Sequence, residues 1–91
     1  MHAVVTQVSI QSGHDDESLE FLRSNVVPRV KQAPGVVAGY WLTPQAGKGF
    51  AFLVFESEGA ARAAAEMAQN APRPEWVTFD SVEVREIIEQ V

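Results

Sequence analysis

The sequence has no cysteine and only two histidines, His2 and His14. The missing thiols exclude disulfide staples, cysteine nucleophiles, and Cys-ligated zinc or iron–sulfur centres. With two histidines and mostly solvated acids, no metal site is expected and no cofactor is called for. Cations are scarce as well: seven Lys and Arg stand against twelve Asp and Glu, for a net charge of −5. Phosphate backbones and anionic bilayers are held by clustered cations. No such cluster is visible, so neither nucleic acid nor a membrane is an expected partner. No apolar run approaches the ~20 residues of a bilayer span. The N-terminus lacks a charged region followed by an apolar one, the pattern of an export signal. A cytoplasmic protein is expected.

The 91 residues are 46% hydrophobic, enough for one folded domain spanning 1–91. One core of that size gives a thin margin of stability. With disulfides excluded and a metal unexpected, burial in an oligomer is the expected reinforcement.

Turn-forming clusters divide the chain at Gly13–Asp16, Pro34-Gly35, Thr43–Gly49, Ser57 and Pro72–Pro74. Ala3–Ile10 alternates as a strand. From about Asp16 to Lys31, Leu19, Leu22, Val26 and Val30 recur at helical spacing, with Asp15 or Asp16 as the expected cap. Pro28 falls late in that pattern and predicts a distorted last turn. Val36–Leu42 and Phe50–Phe55 predict an antiparallel hairpin. An alanine-rich helix follows Ser57, a good N-cap, with Arg62 and Glu66 at a favourable spacing for pairing. A last strand lies within 77–88. The order β-α-β-β-α-β predicts an α+β, ferredoxin-like domain with both helices on one face of an antiparallel sheet.

If Leu42 faces Phe50 across the hairpin, Tyr40 faces Phe52, and Trp41, Gly39 and Val37 face Ala51, Leu53 and Phe55. Val4, Val8, Tyr40, Leu42, Phe50 and Phe52 then make an apolar face that the helices cannot cover. Such a face predicts an interaction surface, and a second copy of the chain is the simplest occupant. The C-terminal residues Ile87–Val91 are the other available cover.

Two stretches resemble the antibiotic-biosynthesis-monooxygenase (ABM) family of dimeric α+β barrels. They are Pro34-Gly35-Val36-Val37-Ala38-Gly39-Tyr40-Trp41-Leu42 and Phe52-Leu53-Val54-Phe55-Glu56-Ser57-Glu58-Gly59-Ala60-Ala61. The element order also matches over nearly the whole chain. The resemblance implies a homodimer with sheets back to back and a cavity between each sheet and its own helices. That assigns Val37, Gly39, Trp41, Ala51, Leu53 and Phe55 to the cavity side. Cofactor-free members oxidise quinols and polyketide anthrones with O2, using an Asn on the first strand and a Trp at the end of the third. Gln7 is close to the first position and Phe55 takes the second. Haem-degrading members use a His on the second helix, where this chain has Ala, Glu, Met and Gln.

The candidate ligand-binding residues are therefore Gln7, Gly39, Trp41, Leu53, Phe55 and Trp76. Gln7 can orient a phenol or ketone oxygen in an apolar pocket, or simply bond backbone at a strand edge. The two tryptophans can wall an aromatic ligand by stacking, or serve as packing. His14, beside two acids, reads as a general base or as part of an exposed turn. Asn70 reads as a cavity-mouth residue or a helix cap. Glu83 and Arg85 share a face and can pair. No catalytic residue can be assigned. Two functions stay open: a cofactor-independent oxygenase of small aromatic or polyketide-type molecules, and a non-catalytic, dimeric ligand-binding or stress-associated protein.

Overall fold

The computed structural model describes residues 1–91. The strands are β1 (His2–Ile10), β2 (Val36–Trp41), β3 (Lys48–Phe55) and β4 (Val77–Glu86). They form one antiparallel sheet in the order β2-β3-β1-β4. The helices lie on one side of it, as the ferredoxin-like order predicts. Three consecutive segments make the first helical layer: α1 (Asp15–Phe21), a π turn (Leu22–Val26) and α2 (Val27–Lys31). Helix α3 (Glu58–Asn70) makes the second.

Helix α3 starts as its sequence predicts. The Ser57 hydroxyl accepts from the Ala60 N–H at 3.1 Å and satisfies one orphan donor of the first turn. Ala61 and Ala65 are its buried residues. Their small side chains let the helix lie close on Val4, Leu53 and Phe55, with which they form the core. Arg62 pairs back to Glu58 at 2.6 Å rather than forward to Glu66. An acid one turn N-terminal to its cation is the better-oriented arrangement, because it also meets the positive end of the helix dipole.

The first layer is built differently. No residue of α1, the π turn or α2 is buried, and Leu19 is 44% exposed. The capping position is His14, without a side-chain cap; Asp15, Asp16 and Glu17 occupy the first turn instead. Pro28 has no N–H to give the preceding turn. The distortion it imposes falls before it, as the π turn, where the Val27 N–H reaches the Leu22 carbonyl. Five-residue steps carry the half-buried stripe from Phe21 and Leu22 to Val26 and Val27, then on to Val30. Leu19 drops out of that stripe.

The β2–β3 register is the expected one from Ala38 through Trp41, with Leu42 N–H donating to the Phe50 carbonyl. The exception is the start of β2. There a bulge puts Val36, not Val37, opposite Phe55, and leaves Val37 52% exposed. A bulge of this kind re-aims one side chain, so Val37 leaves the helix side. Gly35 has φ of 76°, and a Cβ there would stand 2.9 Å from the Ala60 Cβ. The Pro-Gly step therefore lets the strand enter directly beneath the first turn of α3.

Candidate functional site

Register sorts the sheet's side chains into two faces. On the helix side one row runs Gly39–Leu53–Val4–Val84 and the next runs Trp41–Ala51–Thr6–Val82. Phe55 and Val4 are fully enclosed and Leu53 nearly so; these are core. Gly39 does not leave an open space. A Cβ on it would meet Leu53 Cδ2 and Trp41 Cη2, each at 3.1 Å. The Trp41 ring thus lies back over Gly39, half-buried against the core.

Thr6 is the one polar side chain among the nine buried residues. The one enclosed side-chain polar atom without a partner is His2 Nδ1, and the Thr6 hydroxyl is not such an atom. Its row neighbours Trp41, Ala51 and Val82 are all apolar.

Three sequence-based placements are corrected here. Gln7 pairs with Phe50 and Ser81 on the face away from the helices, so it does not join Trp41. Val4 and Val8 pair with Leu53 and Gly49 and lie on the helix side, so they do not belong to the open apolar face. The cause is common to all three: β1 carries apolar residues at both parities, and a one-residue choice exchanges the faces.

The open face keeps Tyr40, Leu42, Phe50 and Phe52, between 41% and 59% exposed, with Val5 and Gln7 beside them. Polar groups edge it. Ser9 donates to Asp80 at 2.6 Å, and Lys48 bonds both Ser9 and Asp80. The Ser9 hydroxyl, assisted by Lys48, holds the Asp80 carboxyl below the usual carboxylate range. Arg85 pairs with Glu83 at 2.9 Å, which raises the guanidinium's pKa. Ile87 and Ile88 border one end of this face beside Ala3, Val5 and Phe52, while Ile88 and Val91 themselves stay exposed.

Trp76 sits at the entry to β4. His14 stacks on it with ring centroids 4.8 Å apart and planes 4° from parallel. The His14 Nδ1 also lies 2.8 Å from Glu17. These contacts tie the start of α1 to the sheet. His2 lies at the opposite end of β1, paired between Phe55 and Glu86.

Two grooves stand out. One, of about 480 Å3, runs between α2 and α3 along Arg29, Ala63, Glu66, Met67, Asn70, Ala71 and Pro72. The other, about 390 Å3, is a notch on the open face with Ala3, Val5 and Phe52 as its floor. Gln7, Gly39, Trp41, Leu53, Phe55 and Trp76 line neither. No three His, Asp or Glu side chains converge as metal ligands. No helix is long and apolar enough to cross a membrane.

Known structures share this arrangement from end to end. Haem-degrading MhuD from Mycobacterium tuberculosis, solved with two haems in its active site, superposes with a TM-score of 0.75. That match is 20% identical and covers 100% of this chain and 99% of MhuD. HapK from Hahella chejuensis matches at 0.69 with 7% identity, over 100% of this chain and 96% of HapK. A protein of unknown function from Nitrosomonas europaea matches at 0.69 with 20% identity, over 99% and 91%. The chain shares the fold of these proteins, an antiparallel four-stranded sheet with helices on one side. No protein-family model and no curated protein sequence matches it. Helix α3 carries no histidine, and neither His2 nor His14 lines the groove beside it.

Thr6 escaped sequence reasoning. On β1 the polar amide of Gln7 drew attention as the interior group, whereas the register turns the shorter hydroxyl inward. The available signal was parity: Thr6 shares it with Val4 and Val8.

Proposed function

We propose that the chain is a homodimeric small-ligand-binding protein, holding an apolar aromatic molecule between the helix side of its sheet and the Asp15–Lys31 layer. The observation that carries this reading is the Thr6 hydroxyl, on a side chain 7% exposed in one row with Trp41, Ala51 and Val82. A single hydroxyl in apolar surroundings is the sparse polar group that orients a ligand oxygen. Trp41 supplies the stacking wall, and movement of its ring off Gly39 would enlarge the space. Trp76, fixed by His14, borders the same layer.

The open face supplies the dimer surface, now composed of Tyr40, Leu42, Phe50, Phe52, Val5 and Gln7. A contiguous apolar patch on a monomer marks an interface, and a sheet face suits an isologous pairing of two copies. Light scattering at micromolar concentration is expected to return twice the 10.0 kDa chain mass, and Phe52→Asp the single mass. A monomeric wild type refutes the dimer.

Ligand binding is tested by titrating anthrone and a naphthohydroquinone against tryptophan fluorescence. Wild type is expected to respond, and Thr6→Val to bind roughly tenfold more weakly, the loss of one buried hydrogen bond. Equal affinities would remove Thr6 from the site. The likeness to a haem-degrading protein favours a second reading, oxidation of the bound molecule by O2 without a cofactor. None of Trp41, Ala51, Thr6 and Val82 titrates, so such a reaction would depend on an already ionised substrate. Oxygen uptake with the same two compounds separates the readings, and binding without uptake excludes the oxidation. A haem that needs a histidine ligand from α3 does not fit these residues.

A further inference from the structure

The seven cations of this acidic chain are unevenly committed. Lys48, Arg62 and Arg85 are in ion pairs. Arg73 donates to the Gln69 carbonyl and lies 4.9 Å over the Phe79 ring. The other three, Arg23, Arg29 and Lys31, have no acid within 4.0 Å and all lie on the stretch 23–31. Of these, Arg29 is half-buried and lines the α2–α3 groove. On the opposite wall Glu66 is also unpaired, because Arg62 turns to Glu58. Met67, 53% exposed, and Pro72 give the groove an apolar wall, and Asn70 adds an amide.

We infer that this groove is a second ligand site, for a small apolar or aromatic monocarboxylate carrying one hydrogen-bond donor. A guanidinium presents a rigid fork that matches a carboxylate in two parallel bonds. A half-buried, unpaired Arg29 is free to make them. The aromatic or aliphatic body rests on Met67 and Pro72, in a volume suited to a molecule of two fused rings. Glu66 accepts from the ligand's donor and repels a second carboxylate, which gives the groove a preference for single over double anions. This site lies between the helices, apart from Thr6 and Trp41, and does not rest on the reading of that row.

Backbone amide shifts in NMR test it, with 2-naphthoate, 6-hydroxy-2-naphthoate, 2-naphthalenemethanol and 2,6-naphthalenedicarboxylate as probes. The two monocarboxylates are expected to move the amides of Arg29 and of Ala63–Ala71, the hydroxy acid more strongly. The neutral alcohol is expected to bind about tenfold or more weakly, the loss of a charge-assisted bond, and Arg29→Gln to cost the same for the acids. Glu66→Gln is expected to narrow the gap between the dicarboxylate and 2-naphthoate. Neither Arg29 nor Glu66 belongs to the buried core, and the same spectra report whether the variants remain folded. Equal binding of alcohol and acid, or no shift at millimolar probe, overturns the proposal. Shifts confined to Thr6, Trp41 and their neighbours overturn it too, while supporting the helix–sheet site.

Discussion

Helix α3 and the stretch Asp15–Lys31 cover the same side of one sheet, yet α3 buries Ala61 and Ala65 and the other layer buries nothing. Helix α3 has a hydroxyl cap, an oriented ion pair and an unbroken run of good helix formers. The first layer has no side-chain cap, a π turn and a proline. The two layers divide their tasks. Close packing of alanines against Val4, Leu53 and Phe55 concentrates stability under α3. The first layer is held chiefly where Val30 and Ala33 meet the core and where His14 stacks on Trp76. Elements that move for ligands come from the low-stability end of a structure. This difference is why the ligand proposals fall beside the first layer.

The comparison can be broken most forcefully at Phe55. Phe55→Ala removes a wholly enclosed ring beneath α3 and is expected to cost about 3–5 kcal/mol. Leu19→Ala, on the exposed side of the other layer, should cost less than about 1 kcal/mol. Urea unfolding of both variants measures the contrast, and similar losses would contradict it. Hydrogen exchange sharpens it next. Amides of α1 and the π turn are expected to exchange by local opening, while those around Ala61 and Ala65 require opening close to the global unfolding. Uniform protection of the two layers would remove the distinction. Smaller is the cap: Ser57→Ala should lower stability by about 1 kcal/mol, read by thermal unfolding.

The smallest effect is a pH dependence. The Arg62 guanidinium, by its hydrogen bond and then by its charge, holds the Glu58 carboxyl below its ordinary value. A lowered folded-state pKa means that the contribution is complete above the unfolded value. It fades as pH falls through the folded one, so α3's first turn should loosen only on acidification below the normal carboxylate range. Carboxyl-carbon NMR of Glu58 follows this directly, and Arg62→Gln should return its midpoint toward the ordinary value.

Much of this was legible in the sequence. The six-element order, the hairpin pairing from Ala38 to Trp41 and the Ser57 cap each rest on a local signal that packing does not oppose. The facing of β1 does not. Ala3, Val4 and Val5 are consecutive and apolar, so alternation could not decide which of them looks inward. That ambiguity sent Gln7 to the wrong side and hid Thr6. Spacing alone did not separate Glu58 from Glu66 as the partner of Arg62, since both are four residues away; the orientation of the pair along the helix does, in favour of Glu58. That choice leaves Glu66 unpaired in the α2–α3 groove, a site visible only once the two helices are side by side.

The π turn also works as a phase setter. An α-helix advances about 100° per residue, and a single π turn inserts one residue into that count. Everything after Val26 is therefore rotated by roughly that angle relative to an unbroken helix. Arg29 faces the groove and Val30 the core because of this one extra residue. Removing any single residue between Leu22 and Val26 would let the helix close up into a regular spiral. Arg29 would keep its facing, because the extra residue and its extra phase leave together; the same residues wound as an unbroken helix would instead turn Arg29 away from α3.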